Sequence, residues 1–154
     1  MGAMEPACGS FRFFDHVADV GFDVSAPTLE ALFRTAASAL MEWTGPPPNS
    51  GPTEIVDVML QAPDSEELLV RWLQELVVLF QVRRLYPVAV PELSIEPRGA
   101  KPLADSDGLR ARVEGRRWRE ADFEAYREVK AVTYHGLRIA RGDAGWSARV
   151  ILDL

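Results

Sequence analysis

Three stretches of the chain concentrate groups able to bind ions or move protons. The first is Asp15-His16-Val17-Ala18-Asp19-Val20-Gly21, with two carboxylates and an imidazole in five residues, closed by a glycine that permits unusual backbone angles. Oxygen-rich clusters of this kind suit a hard cation such as Ca2+ or Mg2+, whereas one histidine with two aspartates is thin for zinc. The same aspartates can instead make Asx-turn bonds, which on residue type alone is the commoner role. The second stretch is Glu128-Val129-Lys130-Ala131-Val132-Thr133-Tyr134-His135-Gly136. Strand parity sets Val129, Ala131, Thr133, His135, Leu137 and Ile139 on one face, so a hydroxyl and an imidazole interrupt an apolar row and need specific bonding partners. Lys130 belongs to the other face, with Glu128, Val132 and Tyr134. His16 and His135 are the only two histidines. A histidine on an apolar face is usually a satisfied core residue, but polar company around both raises the weight of a functional role.

The third stretch is the end of the chain, Val150-Ile151-Leu152-Asp153-Leu154. Parity places Asp153 on the face opposite Trp146, Ala148, Val150 and Leu152, and the terminal carboxylate follows one residue later. One role leaves these carboxylates solvated. The other has Asp153 and the Leu154 carboxylate donate oxygens to one cation together with Asp19.

Other patterns carry less. Asp105-Ser106-Asp107-Gly108 resembles part of a calcium loop, but the EF-hand spacing is not met and a hairpin turn fits better. Arg110, Arg112, Arg116, Arg117 and Arg119 are diluted by Glu114, Glu120 and Asp122, so they read as a solvated strand face. Ser65 and Ser106 lack a nucleophile-elbow context.

The elements that must position these groups follow from period and punctuation. Phe11 to Phe14 suits a strand, and Phe22-Asp23-Val24-Ser25-Ala26 alternates with a period of two. The polar stretch between them predicts a turn or irregular crossing. Thr28 is an N-cap for a helix whose Leu29, Leu32, Phe33, Ala36, Ala37, Leu40 and Met41 share one face, and Gly45-Pro46-Pro47-Pro48 ends it. Ile55 to Leu60 is apolar and β-branched enough to predict a buried strand. Asp64 opens a second helix, with Glu67 at capping-box spacing and a wide stripe of Leu68, Leu69, Trp72, Leu73, Leu76, Val77 and Phe80. Pro87 and Pro91 bracket an irregular return before a short strand over Leu93 to Glu96, and Pro97 to Gly108 reads as a loop. Leu109 to Glu114, Val129 to Ile139 and Trp146 to Leu152 alternate as three antiparallel-capable strands. The order β-β-α-β-α-β-β-β-β predicts an α+β fold, a mostly antiparallel sheet layered with two amphipathic helices. Residues 1–10 read as a disordered tail whose Met1-Gly2-Ala3-Met4 looks like a cloning scar, and residues 11–154 as a single domain.

Composition bounds the function. The chain has 154 residues, 17 Lys+Arg against 23 Asp+Glu and a net charge of −6, with 47% hydrophobic and 26% charged residues. That length buries enough surface to fold without a disulfide or structural metal, so any metal is expected to be functional. One cysteine, Cys8, excludes an internal disulfide and a cysteine-based zinc cluster. The acidic balance argues against a generic nucleic-acid binder and for a basic protein partner or a cation. With no membrane-length apolar run and no leader-like start, a cytoplasmic location is the expectation.

In this order the motifs resemble the archease family. The resemblance rests on Asp15-His16-Val17-Ala18-Asp19-Val20-Gly21, the helix start Pro27-Thr28-Leu29-Glu30-Ala31-Leu32-Phe33, the Leu68-Leu69-Val70-Arg71-Trp72-Leu73-Gln74-Glu75-Leu76 helix, the Glu128 to Gly136 stretch and the ending Leu152-Asp153-Leu154. It implies a small accessory protein, not itself an enzyme, that assists an RtcB-type RNA ligase in tRNA splicing or RNA repair. Its role would be to promote guanylylation of the ligase's active-site histidine and repeated turnover, with RNA contacted only indirectly. The family's metal site would fall on Asp19, Asp153 and the terminal Leu154, binding a divalent cation, Ca2+ first, with Mg2+ or Mn2+ as alternatives. His16, Lys130 and His135 match family positions and would support that site. Val17 stands where the family usually has Thr or Ser, and the Pro46 to Pro52 linker is longer and richer in proline than is typical. The alternatives are a small metal-assisted phosphoesterase using Asp19, His16 and His135, and a chaperone-like interaction module.

Overall fold

The computed structural model describes residues 9–16, 19–100, 105–134 and 136–154, with the backbone alone for His16. The predicted α+β fold is observed, with eight strands among these residues divided between two antiparallel sheets. The elements are β1 (Ser10–His16), β2 (Asp19–Ala26), α1 (Leu29–Thr44), β3 (Thr53–Ala62), α2 (Ser65–Gln81), β4 (Leu85–Glu96), β5 (Asp107–Arg117), a short 3-10 helix (Glu120–Ala125), β6 (Ala131–Thr133), β7 (Ile139–Gly142) and β8 (Gly145–Asp153). One sheet runs β1-β2-β8-β6, with β7 pairing the same strand, β8; the other runs β3-β5-β4. No helix among the described residues is long and apolar enough to cross a membrane.

Both helices start where their caps predict. The Thr28 hydroxyl accepts the Ala31 N–H at 3.1 Å and the Asp64 carboxylate accepts the Glu67 N–H at 2.8 Å. The capping box at Asp64 is only half made, because Glu67 turns away to Arg71 at 2.6 Å. α1 packs on β2 and reaches β4, and α2 packs on β3 and β4 and reaches β6. α1 is therefore buried around most of its circumference, and its polar residues must bond inward. Thr35 and Thr44 donate to the carbonyls of Ala31 and Leu40 at 2.7 and 2.8 Å, which removes the penalty of an unbonded buried hydroxyl. The large buried side chains with polar tips are anchored likewise: the Trp72 indole donates to the Phe33 carbonyl and the Trp118 indole to the Phe80 carbonyl.

Four sequence expectations are corrected. The polar stretch at Asp15 to Gly21, expected to be a turn or an irregular crossing, is largely strand: β1 and β2 run into it from both sides, and His16 pairs with Asp19. β3 is not buried, since it is an edge strand with Ile55 52% and Met59 68% exposed. An apolar run signals a pleat but cannot say which of its faces is covered. β4 runs through Pro87 and Pro91 as one strand because it too is an edge, and its register shifts between Pro87 and Ala89 and again between Ala89 and Glu92 absorb the missing donors. Finally, 129–139 is not one strand. β6 ends at Thr133, β7 begins at Ile139, and the buried residues Val129 and Val132 do not share strand parity.

Candidate metal centre

β2 forms because Phe22, Val24 and Ala26 alternate with Asp23 and Ser25, and the buried set faces α1. β8 follows the same rule, with Ala148, Val150 and Leu152 buried and Asp153 exposed on the opposite face. The two strands are antiparallel, in a register that runs without a shift from Ala26↔Trp146 to Asp19↔Asp153. Asp19 and Asp153 are thus direct cross-strand partners on one face, and such partners stand about 4.5–5.5 Å apart at Cβ. The backbone of His16 extends this row on β1 and Ala131 extends it on β6. Leu154 follows immediately, half-buried and packed against the core.

Two carboxylates directly opposite on a sheet repel, and a divalent cation between them converts that repulsion into attraction. Among the described residues no group of three His, Cys, Asp or Glu side chains is arranged to hold a metal. The donor set on this row is two carboxylate side chains, those of Asp19 and Asp153. All are hard oxygens. That chemistry fits Ca2+ or Mg2+, which take oxygen ligands and complete their shells with water, and does not fit zinc.

The remaining expected residues divide. Lys130 adjoins the row through its backbone, its N–H donating to the Asp153 carbonyl at 2.8 Å, while its side chain is exposed. His135 and Val17 lie outside the described residues, and only the backbone of His16 is described. Thr133 pairs with Ile151 on the face of Asp153, so the expectation of an inward-facing row holding Ala131 and Thr133 is reversed: Val132 points inward, paired with Leu152. Gly21 also acts differently from expectation. Its φ is not positive; instead a Cβ there would sit 2.3 Å from Cζ of Phe14, so glycine makes room for that ring on the outer face. The Arg149 guanidinium lies over the same ring at 4.3 Å and binds the Asp23 carboxylate at 2.7 and 3.0 Å. This pairing holds the Asp23 carboxyl below its ordinary range.

The sequence reading missed what fixes β6, the fourth strand of the row. β6 has only three residues and cannot hold itself. α2 pins it: the Gln74 Oε1 accepts the Val132 N–H at 3.1 Å, the Gln81 Nε2 donates to the Val129 carbonyl at 2.7 Å, and the Glu66 Oε2 accepts the Ile139 N–H at 3.1 Å. Their spacing of eight and then seven residues along one flank of the apolar stripe is the signal that could have found them. Asp107, expected in a hairpin turn, is a buried brace, accepting the Arg98 N–H at 2.6 Å and the Ser65 hydroxyl at 3.2 Å.

The profile of the Archease protein family (MTH1598/TM1083) matches residues 11–154, which takes in every residue of this row. The chain belongs to the archease family. Among its relatives, the archease of Methanosarcina mazei is 31% identical over 94% of this chain and 95% of that protein. The archease of Archaeoglobus fulgidus is also 31% identical, covering 94% of this chain and 98% of its own length. The solution structure of Methanobacterium thermoautotrophicum protein 1598 superposes with a TM-score of 0.75 at 32% identity, covering 94% and 98% of the two chains. The crystal structure of the Thermotoga maritima archease, described as a possible chaperone, shares the fold with a TM-score of 0.61 at 21% identity over 92% and 94%.

Proposed function

We propose that this archease is a non-catalytic, metal-binding activator of an RtcB-type RNA ligase. It promotes guanylylation of the ligase's active-site histidine and repeated turnover in tRNA splicing or RNA repair, in the cytoplasm. The observation that supports this most is the register setting Asp19 opposite Asp153, with Leu154 next in the chain. Asp19, Asp153 and the Leu154 α-carboxylate would hold the cation, Ca2+ before Mg2+ or Mn2+ because an exposed carboxylate set with open positions tolerates its larger, flexible shell. When bound, the cation supplies a fixed positive charge on an otherwise acidic chain. The chain's residues do the rest: the β2–β8 ladder spaces the two carboxylates, and the Lys130 N–H ties β6 to Asp153. His16, Lys130 and His135 would support that site or meet the ligase. The net charge of −6 suits docking on a protein whose own active site must be basic to hold RNA and nucleotide.

The deciding experiment is ligase guanylylation at limiting metal with Asp19→Asn. Loss of stimulation with an unchanged circular-dichroism spectrum is expected, and full stimulation by the folded variant would overturn the proposal. A tag fused after Leu154 removes the free carboxylate and is expected to impair both calcium binding and stimulation.

A further inference from the structure

The outer face of the five-stranded sheet carries more than the carboxylate row. Four residues along the strands from Asp19 and Asp153, about 13 Å away, Asp23 and Arg149 are cross-strand partners on the same face, with Arg12 beside Asp23 on β1. The next row on this face is Ser10, Ser25, Ser147 and Ala140, in register across β1, β2, β8 and β7. These two rows and Arg138, which stands just before β7, line an open trough of about 610 Å3.

Its charge runs against that of the chain as a whole. Three guanidiniums against the one carboxylate of Asp23 leave a local charge of +2, on a chain of net charge −6. Asp23 is already taken by Arg149, which binds it at 2.7 and 3.0 Å and lies over the Phe14 ring at 4.3 Å. Arg12 and Arg138 are exposed and make no hydrogen bond or ion pair with any described residue. Two guanidiniums therefore stand free beside a row of small, hydroxyl-bearing side chains.

That chemistry selects the occupant. A peptide is gripped through a free sheet edge or through apolar pockets for its side chains. The trough lies over β2 and β8, each paired on both sides, and its floor is serine and alanine. Phosphate oxygens, by contrast, are bound by arginines and serine hydroxyls. One phosphate cannot meet all the arginines, because β1 and β7 are three strand spacings apart, about 14 Å. Successive phosphates of one strand can. The Phe14 ring beside the trough is covered by Arg149, so the backbone is recognised and not stacked bases.

We propose that this trough seats the sugar–phosphate backbone of a single-stranded RNA, with Arg12, Arg149 and Arg138 on its phosphates and the serine hydroxyls donating beside them. The contact goes beyond the activator reading, in which RNA is met only through the ligase, and does not depend on it. With two free cations it is weak and salt-sensitive.

Fluorescence anisotropy of a labelled oligouridylate with the full chain alone tests it. On a single strand, log affinity falls with log salt at a slope of about −0.7 per phosphate neutralised. Arg12 and Arg138 give an expected slope of about −1.4, and Arg12→Gln or Arg138→Gln alone about −0.7. Asp23→Asn releases Arg149 and is expected to tighten binding and steepen the slope to about −2.1. Arg110→Gln, at an exposed position of the other sheet, is expected to change nothing. No anisotropy change at low salt, slopes unmoved by Arg12→Gln and Arg138→Gln, an equal loss in Arg110→Gln, or no steepening in Asp23→Asn each overturns the proposal. So does displacement of the RNA by inorganic phosphate or a nucleoside triphosphate at equal phosphate concentration, since the trough would then be a site for a single small anion.

Discussion

Gln74→Leu tests how the carboxylate row is held. Val132 is 5% exposed and its N–H has the Gln74 side-chain oxygen as acceptor at 3.1 Å. Leucine fills nearly the same volume but accepts no hydrogen bond, so the part-buried Val132 N–H loses its acceptor. Leaving a buried donor unsatisfied costs about 1–3 kcal/mol. For a chain of this size each kcal/mol shifts the melting midpoint by roughly 2–4 °C, so a drop of roughly 2–12 °C is expected. Gln74→Glu keeps an acceptor at the same reach and is expected to lose much less. Calorimetry gives the first number, and amide hydrogen exchange at Val132 locates it: protection should fall in the leucine variant and persist in the glutamate variant. Should Gln74→Leu stay within about 0.5 kcal/mol of the parent, the range of ordinary surface changes, with the Val132 amide equally protected, α2 does not hold β6 by this bond.

Calcium at a hundredfold excess over its dissociation constant should stabilise the chain by about 2.7 kcal/mol, seen as a rise in melting temperature that Asp153→Asn abolishes. Because Arg149 lowers the Asp23 pKa from its ordinary 3.8, this pair's stabilisation is present above that value and is lost as the pH falls through the depressed one. Asp23→Asn should flatten that acid limb of a urea-unfolding series, and high salt should shrink the difference, since both groups are largely exposed. Burial, with Tyr126 and Glu42 nearby, pushes the Tyr86 phenol well above its usual range, and burial with Asp122 pushes Tyr126 up to about 12. Both ionise more readily once unfolded, so stability should fall as pH rises past 10.0. Tyr86→Phe should weaken that fall while costing the bonds to the Met41 and Gly45 carbonyls, read as a lower midpoint at neutral pH. Thr28→Ala should cost about 0.5–2 kcal/mol by removing the α1 cap, measured by urea unfolding.

Local rules were enough for the helices, because a cap and an apolar stripe act within a few residues of themselves. Thr28, Asp64 and the stripe from Leu68 to Phe80 read directly. Parity likewise set Asp153 on the face opposite Val150 and Leu152, since side chains alternate whatever the strand pairs with. Pairing is another matter. Nothing within β2 or β8 says that Asp19 meets Asp153; that follows from a register established across more than a hundred residues of chain. The same long-range choice exposes Ile55 and Met59 on an edge, lets β4 pass through two prolines, and brings Gln74 and Gln81 of α2 to the backbone of Val132 and Val129. The sequence by itself therefore determined which groups could bind a cation and on which face Asp153 would stand. Only the tertiary structure decided that Asp19 and Asp153 share a row, because a hydrogen-bonded ladder is the device that brings residues so far apart in the chain to neighbouring positions.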